Sequence, residues 1–248
     1  MKAIILGIVQ GITEFLPISS SGHLVLLKML MGLKTPGVIL EVALHFGTFL
    51  SIIIYFRKRI LSYLSKEKLP LIIVGTIPIM FTGLFLKERI ESMFMNPLLV
   101  ISMLFVTGLM LLLTVKATPT SKLNLKTAFI IGIAQSIALI PGISRSGFTV
   151  GAALLLGISR EESFEFSFIL AIPALLGAFI LESREIGSMN FDYIRLIPGT
   201  IAAFLSGLLA LWLFYKSVKR QSLHYFTYYL WFVSLSGILL FLFARFPL

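Results

Sequence analysis

The chain has 248 residues, of which 58% are hydrophobic and 13% are charged, whereas soluble domains carry about 25% charged residues. The mean hydropathy is +1.00, and apolar runs of about 18 residues recur, so the composition excludes an ordinary soluble domain and predicts an all-α polytopic membrane protein. The absence of cysteine excludes disulfides and thiolate sites. We attribute the net charge of +10 to basic cytoplasmic loops and contacts with membrane lipids, and not to nucleic acid binding.

The first element, GIVQGITEFLPISSSGHLV at 7–25, returns at 132–150 as GIAQSIALIPGISRSGFTV, an offset of 125 residues. Nine of the 19 aligned positions are identical, and they include one glutamine, two serines and two glycines. Chance similarity between apolar helices would match leucine and isoleucine, but would rarely match this polar set. The chain therefore reads as one membrane domain, 1–248, made of two related halves at about 1–121 and 122–248.

Each copy contains about a dozen apolar residues, a Pro/Gly/Ser break and a second short apolar stretch. Neither stretch is long enough to span a bilayer, so we predict a re-entrant helical hairpin in each half. Three long apolar segments follow each hairpin, which gives about six spans and two hairpins. The predicted spans lie near 38–56, 69–86, 97–115, 162–181, 194–215 and 225–246.

A hairpin followed by three spans crosses the membrane an odd number of times, so the second half is expected to have inverted topology. The basic loops 57–68, 116–126 and 216–224 then fall on one face, which the positive-inside rule makes cytoplasmic. The loop at 182–193, the mouth of the first hairpin and both termini are predicted to face outward.

Polar side chains gather at both breaks, and polar groups inside membrane segments usually mark a site. Gln10 and Glu14 are spaced i, i+4 and share a helix face, so they can hold a hard divalent cation, or Glu14 can serve in acid–base work. His23 is a candidate general acid or base beside Glu14. The serines at 19–21 can cap the second short helix or bind an anion at its start.

Arg145, at the second break, occupies the position that Ser20 has in the first copy. Two interpretations stay open. The guanidinium can pair with Glu14 as a structural ion pair, or it can clamp a phosphate. In the second interpretation, neighbouring hydroxyls assist as substrate-binding groups together with those of the first break. These candidate substrate-binding residues are Ser19, Ser21, Ser144, Arg145, Ser146 and Thr149.

Two strings in this order resemble the signatures of the bacterial undecaprenyl-diphosphate phosphatase family, also called the bacitracin-resistance protein family. The first is Gln10, three residues and Glu14, followed by P-x-S-S-x-G-H from Pro17 to His23. The second is PGxSRSG from Pro141 to Gly147. The resemblance covers essentially the whole chain. Many members have glutamate at the position of Gln10. Because this chain has a neutral amide there, it supplies no charge to a cation at that position.

The resemblance implies hydrolysis of undecaprenyl diphosphate to the monophosphate and inorganic phosphate, which recycles the cell-wall carrier lipid. It also implies a bacterial cytoplasmic membrane location, a site reached from the outer face and a divalent cation, Mg²⁺ or Ca²⁺, held by Gln10 and Glu14. The implied catalytic residues are Glu14, Ser20 as nucleophile and His23, which can alternatively activate water. The oligomeric state stays open, and a homodimer is compatible with the sequence.

Two other functions compete with this interpretation. Inverted repeats with paired hairpins are also a transporter architecture, so the scaffold can move a polyprenyl phosphate lipid across the membrane instead of hydrolysing it. The acid-phosphatase-like membrane phosphatases share short S-G-H and S-R strings but need a further histidine beside an acidic residue. No histidine lies between Arg145 and His224, and His224 has no acidic neighbour.

Overall fold

A computed structural model describes residues 2–31, 38–186 and 196–243 of the chain. Within these ranges all regular structure is helical, in eleven α-helices and one 3₁₀ turn. In chain order the elements are α1 (Lys2–Phe15), α2 (Ser20–Met31), α3 (Val38–Tyr63), α4 (Leu69–Phe85), α5 (Lys87–Phe94), α6 (Pro97–Leu113), the 3₁₀ turn (Thr114–Lys116), α7 (Leu125–Ile137), α8 (Arg145–Leu155), α9 (Arg160–Ile186), α10 (Ile197–Lys219) and α11 (His224–Phe243).

Five of the described helices, α3, α6, α9, α10 and α11, are long and apolar enough to cross a membrane. They coincide with five of the predicted spans, two of which also extend into residues outside the described ranges. The sixth predicted span, 69–86, is α4, an apolar helix of 17 residues that meets α5 at a bend of 75°. Counting that bent pair as one span gives six, so the chain is a polytopic membrane protein.

Several boundaries differ from the prediction. Helix α3 runs to Tyr63 and α10 to Lys219, so parts of the predicted loops 57–68 and 216–224 are helical. Helix α5, KERIESMF, was not expected, because its charged residues interrupt any apolar run. It is instead a short amphipathic helix, with Lys87 Nζ 3.6 Å from Glu91 Oε1 at the favourable i, i+4 spacing. Helix α9 runs to Ile186, so the predicted loop at 182–193 begins later than expected, and the rest of that loop lies outside the described residues.

The two interrupted segments fold as a helix, a break and a second helix, as predicted. Helices α1 and α2 flank a break at 16–19, and α7 and α8 flank a break at 138–144. We call these breaks, together with the adjoining turns of their helices, tip one (14–23) and tip two (139–148). The four flanking helices have 14, 12, 13 and 11 residues. Each is therefore roughly 17–21 Å long, which is shorter than a hydrocarbon core of about 30 Å.

Repeat-related glycines bring the first helix of each segment against a helix from the other half. Helix α1 packs along α10, where a Cβ on Gly7 would collide with the carbonyl oxygen of Gly199. Helix α7 packs along α4, where a Cβ on Gly132 would collide with the carbonyl oxygen of Gly75. Small residues that allow close backbone approach are typical of helix contacts in membranes.

The outer surface and the core share the same apolar composition. Large side chains such as Phe81, Leu205 and Phe232 are 64%, 58% and 70% exposed, as expected of helices that face lipid tails. Inside, Phe15 is fully buried and meets Phe168 edge-on, with ring centroids 5.7 Å apart. Phe15 directly follows Glu14, so this aromatic contact holds the end of α1 that carries Glu14 in place.

Candidate active site

The two tips contact each other through repeat-related serines. Ser21 Oγ accepts a hydrogen bond of 3.0 Å from the backbone N–H of Gly142 in tip two. Its counterpart, Ser146, donates from Oγ to the carbonyl oxygen of Leu16 in tip one, at 3.3 Å. The two halves thus exchange nearly equivalent contacts at the point where each half leaves its first short helix.

Within each tip, a serine pair starts the second short helix. Ser19 Oγ lies 3.1 Å from Ser21 Oγ and accepts from the backbone N–H of Gly22 at 3.3 Å. In tip two, Ser144 Oγ lies 3.2 Å from Ser146 Oγ and accepts from Gly147 N–H at 3.2 Å. These are helix N-caps, so the capping interpretation of the serines is observed. Ser19 itself has φ = 69°, a left-handed conformation that is uncommon for a non-glycine residue.

One carboxylate joins the side chains of both tips. Arg145 Nη2 donates to Glu14 Oε1 at 2.8 Å, and the two side chains are only 15% and 9% exposed. The other oxygen, Oε2, accepts from Ser20 Oγ at 2.7 Å and from Gln10 Nε2 at 3.1 Å. Positions 20 and 145 are related by the repeat, and both side chains reach the same carboxylate. The ion pair that the sequence left open is therefore present.

A histidine that the sequence analysis left unassigned also reaches this cluster. His45, on α3, lies with Nδ1 3.1 Å from Gln10 Nε2 and 4.0 Å from Glu14 Oε2. Because an amide nitrogen only donates, Nδ1 accepts this hydrogen bond. A signal was present in the sequence, since Glu41 and His45 repeat, within a predicted span, the i, i+4 spacing of Gln10 and Glu14.

The other histidine of the predicted site is turned away from Glu14. His23 Nδ1 lies 2.8 Å from the carbonyl oxygen of Ser19, and Nε2 lies 2.7 Å from the hydroxyl of Tyr229 on α11. The two rings are nearly parallel, at 6°, with centroids 5.6 Å apart. Both ring nitrogens are thus engaged, and His23 does not line the cavity that contains Glu14.

Thr149 is likewise not brought to the cluster. Its hydroxyl donates to the carbonyl oxygen of Arg145, one helical turn earlier, at 2.7 Å and also contacts the hydroxyl of Ser167. The side chain is fully buried within α8 and its contact with α9. Thr149 therefore lies one helical turn after Arg145, at the contact between α8 and α9, and does not line the cavity that contains Glu14.

A cavity of about 380 Å³ opens beside the Glu14–Arg145 pair. Its polar wall comes from both halves and includes Glu14, Ser20, Glu41, His45, Gln135 and Arg145. The rest of its wall is largely apolar. Ile90 and Leu139 also line a second cavity of about 640 Å³, formed by α4, α5 and α7 with almost entirely apolar walls. A polar chamber beside an apolar one suits a ligand with a charged head and a hydrocarbon tail.

Among the described residues, no group of three or more His, Cys, Asp or Glu side chains is placed to hold a metal ion. The predicted ligands Gln10 and Glu14 are nevertheless adjacent. The amide nitrogen of Gln10 faces the carboxylate, while Oε1 is buried with no hydrogen-bond partner in the described part of the chain. Rotation of this amide would turn Oε1 toward Glu14 and create a pair of hard oxygen donors, which fits Mg²⁺ or Ca²⁺.

Comparison with known proteins gives a consistent family assignment. Residues 3–236 match the family described as "Bacitracin resistance protein BacA". A protein from Rhodopirellula baltica named "Undecaprenyl-diphosphatase" is 41% identical over 239 residues, which are 92% of this chain and 93% of the relative. Relatives with the same name from Carboxydothermus hydrogenoformans and Halothermothrix orenii are 38% and 40% identical, and each match covers 96% of this chain and 96% and 97% of the relative.

Proposed function

Because the chain belongs to the bacitracin resistance protein BacA family, we propose that it hydrolyses undecaprenyl diphosphate to undecaprenyl phosphate and inorganic phosphate. The names of the full-length relatives support this substrate. The observation that carries the proposal is the convergence of Arg145, from one tip, and Ser20, from the other, on the carboxylate of Glu14. A cation for the phosphate and a hydroxyl beside a base are the two parts that phosphoryl transfer requires.

In this proposal the Glu14–Arg145 pair is the resting form of the site. The incoming diphosphate replaces Glu14 as the partner of Arg145, whose guanidinium fork suits two phosphate oxygens. Glu14, released from Arg145, then lies 2.7 Å from Ser20 Oγ, within reach of its proton. The exchange therefore couples substrate binding to activation of the nucleophile.

The proposed reaction has two chemical steps. Ser20 Oγ forms a bond to the terminal phosphorus, its proton passes to Glu14, and the bridging P–O bond breaks to release undecaprenyl phosphate. Glu14 passes this proton to the bridging oxygen of the departing undecaprenyl phosphate and is again a carboxylate. A water molecule then attacks the phosphoserine and gives a proton to Glu14, the P–Oγ bond breaks to release inorganic phosphate, and Glu14 returns that proton to Ser20 Oγ. The contact between Ser20 and Glu14 supports serine attack over water activated by His23, because both nitrogens of His23 are engaged elsewhere. An acid–base role for His23 stays a prediction that needs its ring to leave Tyr229.

Gln10 and Glu14 would hold the divalent cation, which supplies positive charge that offsets the charge of the diphosphate. The unpartnered Oε1 of Gln10 supports this assignment. Of the predicted phosphate-binding serines, Ser19, Ser21 and Ser144 line the cavity beside Arg145. Ser146 is better explained as the residue that joins the tips.

We further infer that the two halves are inverted repeats with re-entrant tips, in the bacterial cytoplasmic membrane, with both termini outside. The reciprocal serine contacts and the pairing of Gly7 with Gly199 and of Gly132 with Gly75 support a two-fold relation between the halves. The short helices that flank each tip support re-entry. A reporter fused after residue 248 should be active outside the cell, and cytoplasmic activity would contradict this topology. The homodimer stays a prediction for size measurements in detergent.

The experiment that tests the reaction is phosphate release from undecaprenyl diphosphate by the purified protein, with Mg²⁺ or Ca²⁺ and with a chelator. Arg145→Ala should lower the rate by roughly 10²–10³-fold, as removal of one transition-state donor does. The matched control is Arg59→Ala, which removes an exposed arginine paired with Glu165 at 2.9 Å and should leave the rate unchanged. No release by folded wild-type protein under any metal condition would contradict the proposal.

Movement of the lipid across the bilayer is the second candidate function, because the two-fold relation of the tips is also the arrangement of many transporters. Ser20→Ala protein in liposomes separates the two functions. A carrier would still move labelled undecaprenyl phosphate between leaflets, whereas a hydrolase alone would neither move nor cleave its lipid.

A further inference from the structure

Gln135 is a buried amide that the proposed chemistry leaves unused. It lies on α7, its side chain is fully buried, and neither Nε2 nor Oε1 has a hydrogen-bond partner in the part of the chain that the structure describes. The residue lines the same 380 Å³ cavity as Glu14 and Arg145. Its nearest neighbours along the chain in that wall, Ala138 and Leu139, offer no polar side chain.

A buried amide without partners destabilises the folded protein, because its hydrogen bonds to water are lost and not replaced. An apolar side chain of the same shape would avoid this loss. The repeat sharpens the point. Gln10, the counterpart of Gln135, donates to Glu14 and His45, whereas the position that corresponds to Glu14 in the second half is Leu139. The second glutamine has kept its amide where the partner carboxylate is missing.

We propose that Gln135 binds the phosphate that stays on the lipid. This inference rests on the proposed reaction, in which Arg145 holds the phosphate that is transferred. Gln135 Nε2 donates to a non-bridging oxygen of the second phosphate. Its neighbour Leu139 lines both cavities, so the lipid side of the diphosphate lies toward α7 and the hydrocarbon tail continues into the apolar cavity.

This division gives the two phosphates different partners. An arginine holds the group that carries charge through the transition state, whereas a neutral amide holds the leaving group. A single amide hydrogen bond recognises a lipid phosphate but lets the product dissociate more readily than a guanidinium would. Gln135 thereby distinguishes a lipid diphosphate, which reaches both groups, from inorganic phosphate, which needs only Arg145.

The test compares Gln135→Met with the wild-type protein, since methionine keeps the length of the side chain and removes both polar atoms. Binding is measured from the rise in thermal midpoint with increasing undecaprenyl phosphate and, separately, with increasing inorganic phosphate, which requires no turnover. Loss of one hydrogen bond to a charged group should weaken undecaprenyl phosphate binding roughly 10- to 100-fold. Binding of inorganic phosphate should not change, and the midpoint without ligand should not fall.

The repeat-related Gln10→Met is the matched comparison, and it should lower the midpoint without ligand because it removes two hydrogen bonds. Unchanged binding of undecaprenyl phosphate to Gln135→Met would overturn the inference, as would a lowered midpoint without ligand, which indicates a structural role. Weaker binding of inorganic phosphate would assign Gln135 to the transferred phosphate and also overturn it. If the wild-type protein binds undecaprenyl phosphate through Gln135 but releases no phosphate, the proposed reaction is contradicted and the proposed binding site is not.

Discussion

Tip one and tip two share a backbone design and differ in their chemistry. In both, a serine caps the second short helix, a second serine crosses to the other tip, and a glycine follows. Among the positions that differ, two concern the side chains that meet at the carboxylate, Glu14 against Leu139 and Ser20 against Arg145. The shared residues hold the two tips together, whereas in the proposed reaction the differing residues supply a base and a nucleophile on one side and a cation on the other. Duplication can thus build the frame of a site, and divergence at two positions can supply its reactive groups.

The largest effect is expected at the carboxylate that only tip one carries. Glu14→Gln removes the base beside Ser20 and should lower phosphate release by roughly 10²–10⁴-fold. Glu14→Asp keeps the charge and should retain more activity than the glutamine variant. Equal rates for Glu14→Gln and the wild-type protein would show that the difference between the tips has another purpose.

Neighbouring serines of tip one should respond differently to the same change. Ser20→Ala removes the proposed nucleophile and should lower release nearly as strongly as Glu14→Gln does, leaving a measurable residual rate. Ser21→Ala removes the bond to Gly142 and should mainly lower the free energy of unfolding, by about 1 kcal/mol. Thermal melts and rate measurements on both variants make the comparison. Activity retained by Ser20→Ala would instead indicate attack by water.

Binding of the divalent cation should depend on Gln10 more than on Gln135, its counterpart in the second half. Removal of divalent ions is expected to abolish release, and Mg²⁺ or Ca²⁺ should restore it. Gln10→Leu removes the proposed amide oxygen ligand and should raise the metal concentration for half-maximal rate by roughly 10-fold or more, since one ligand of the site is lost. A Gln10→Leu titration identical to that of the wild-type protein would exclude the amide from the metal site.

The smallest effects on phosphate release concern the helix contacts that the two halves share, and the loss of stability should be alike in both halves. Gly7→Ala and Gly132→Ala each place a methyl group against a facing glycine carbonyl and should destabilise the protein by about 1–3 kcal/mol. Thermal unfolding of both variants measures this. A large effect in one half and none in the other would contradict the two-fold relation of α1 with α10 and α7 with α4.

Local sequence was enough to predict the tips but not everything that faces them. The breaks and the serine caps depend on residues two or three positions apart, so the pattern around Ser19 and Ser144 indicated them directly. His45 reaches Gln10 only because α3 packs beside α1, and the partner of His23 is Tyr229, 206 residues away. Such contacts depend on helix packing that one sequence does not reveal. The hydroxyl of Thr149 bonds to its own helix one turn back, so its substrate-binding role stays a prediction.

A double-mutant cycle on phosphate release tests most directly whether the two tips form one site. Ser20→Ala alters tip one, Arg145→Lys alters tip two, and the cycle compares each single variant with the double variant in kcat/KM for undecaprenyl diphosphate. If both residues act on the same phosphate, the double variant should be about as impaired as Ser20→Ala alone, because residues that act as a unit are not additive. Losses that simply multiply would contradict a single site shared between the tips.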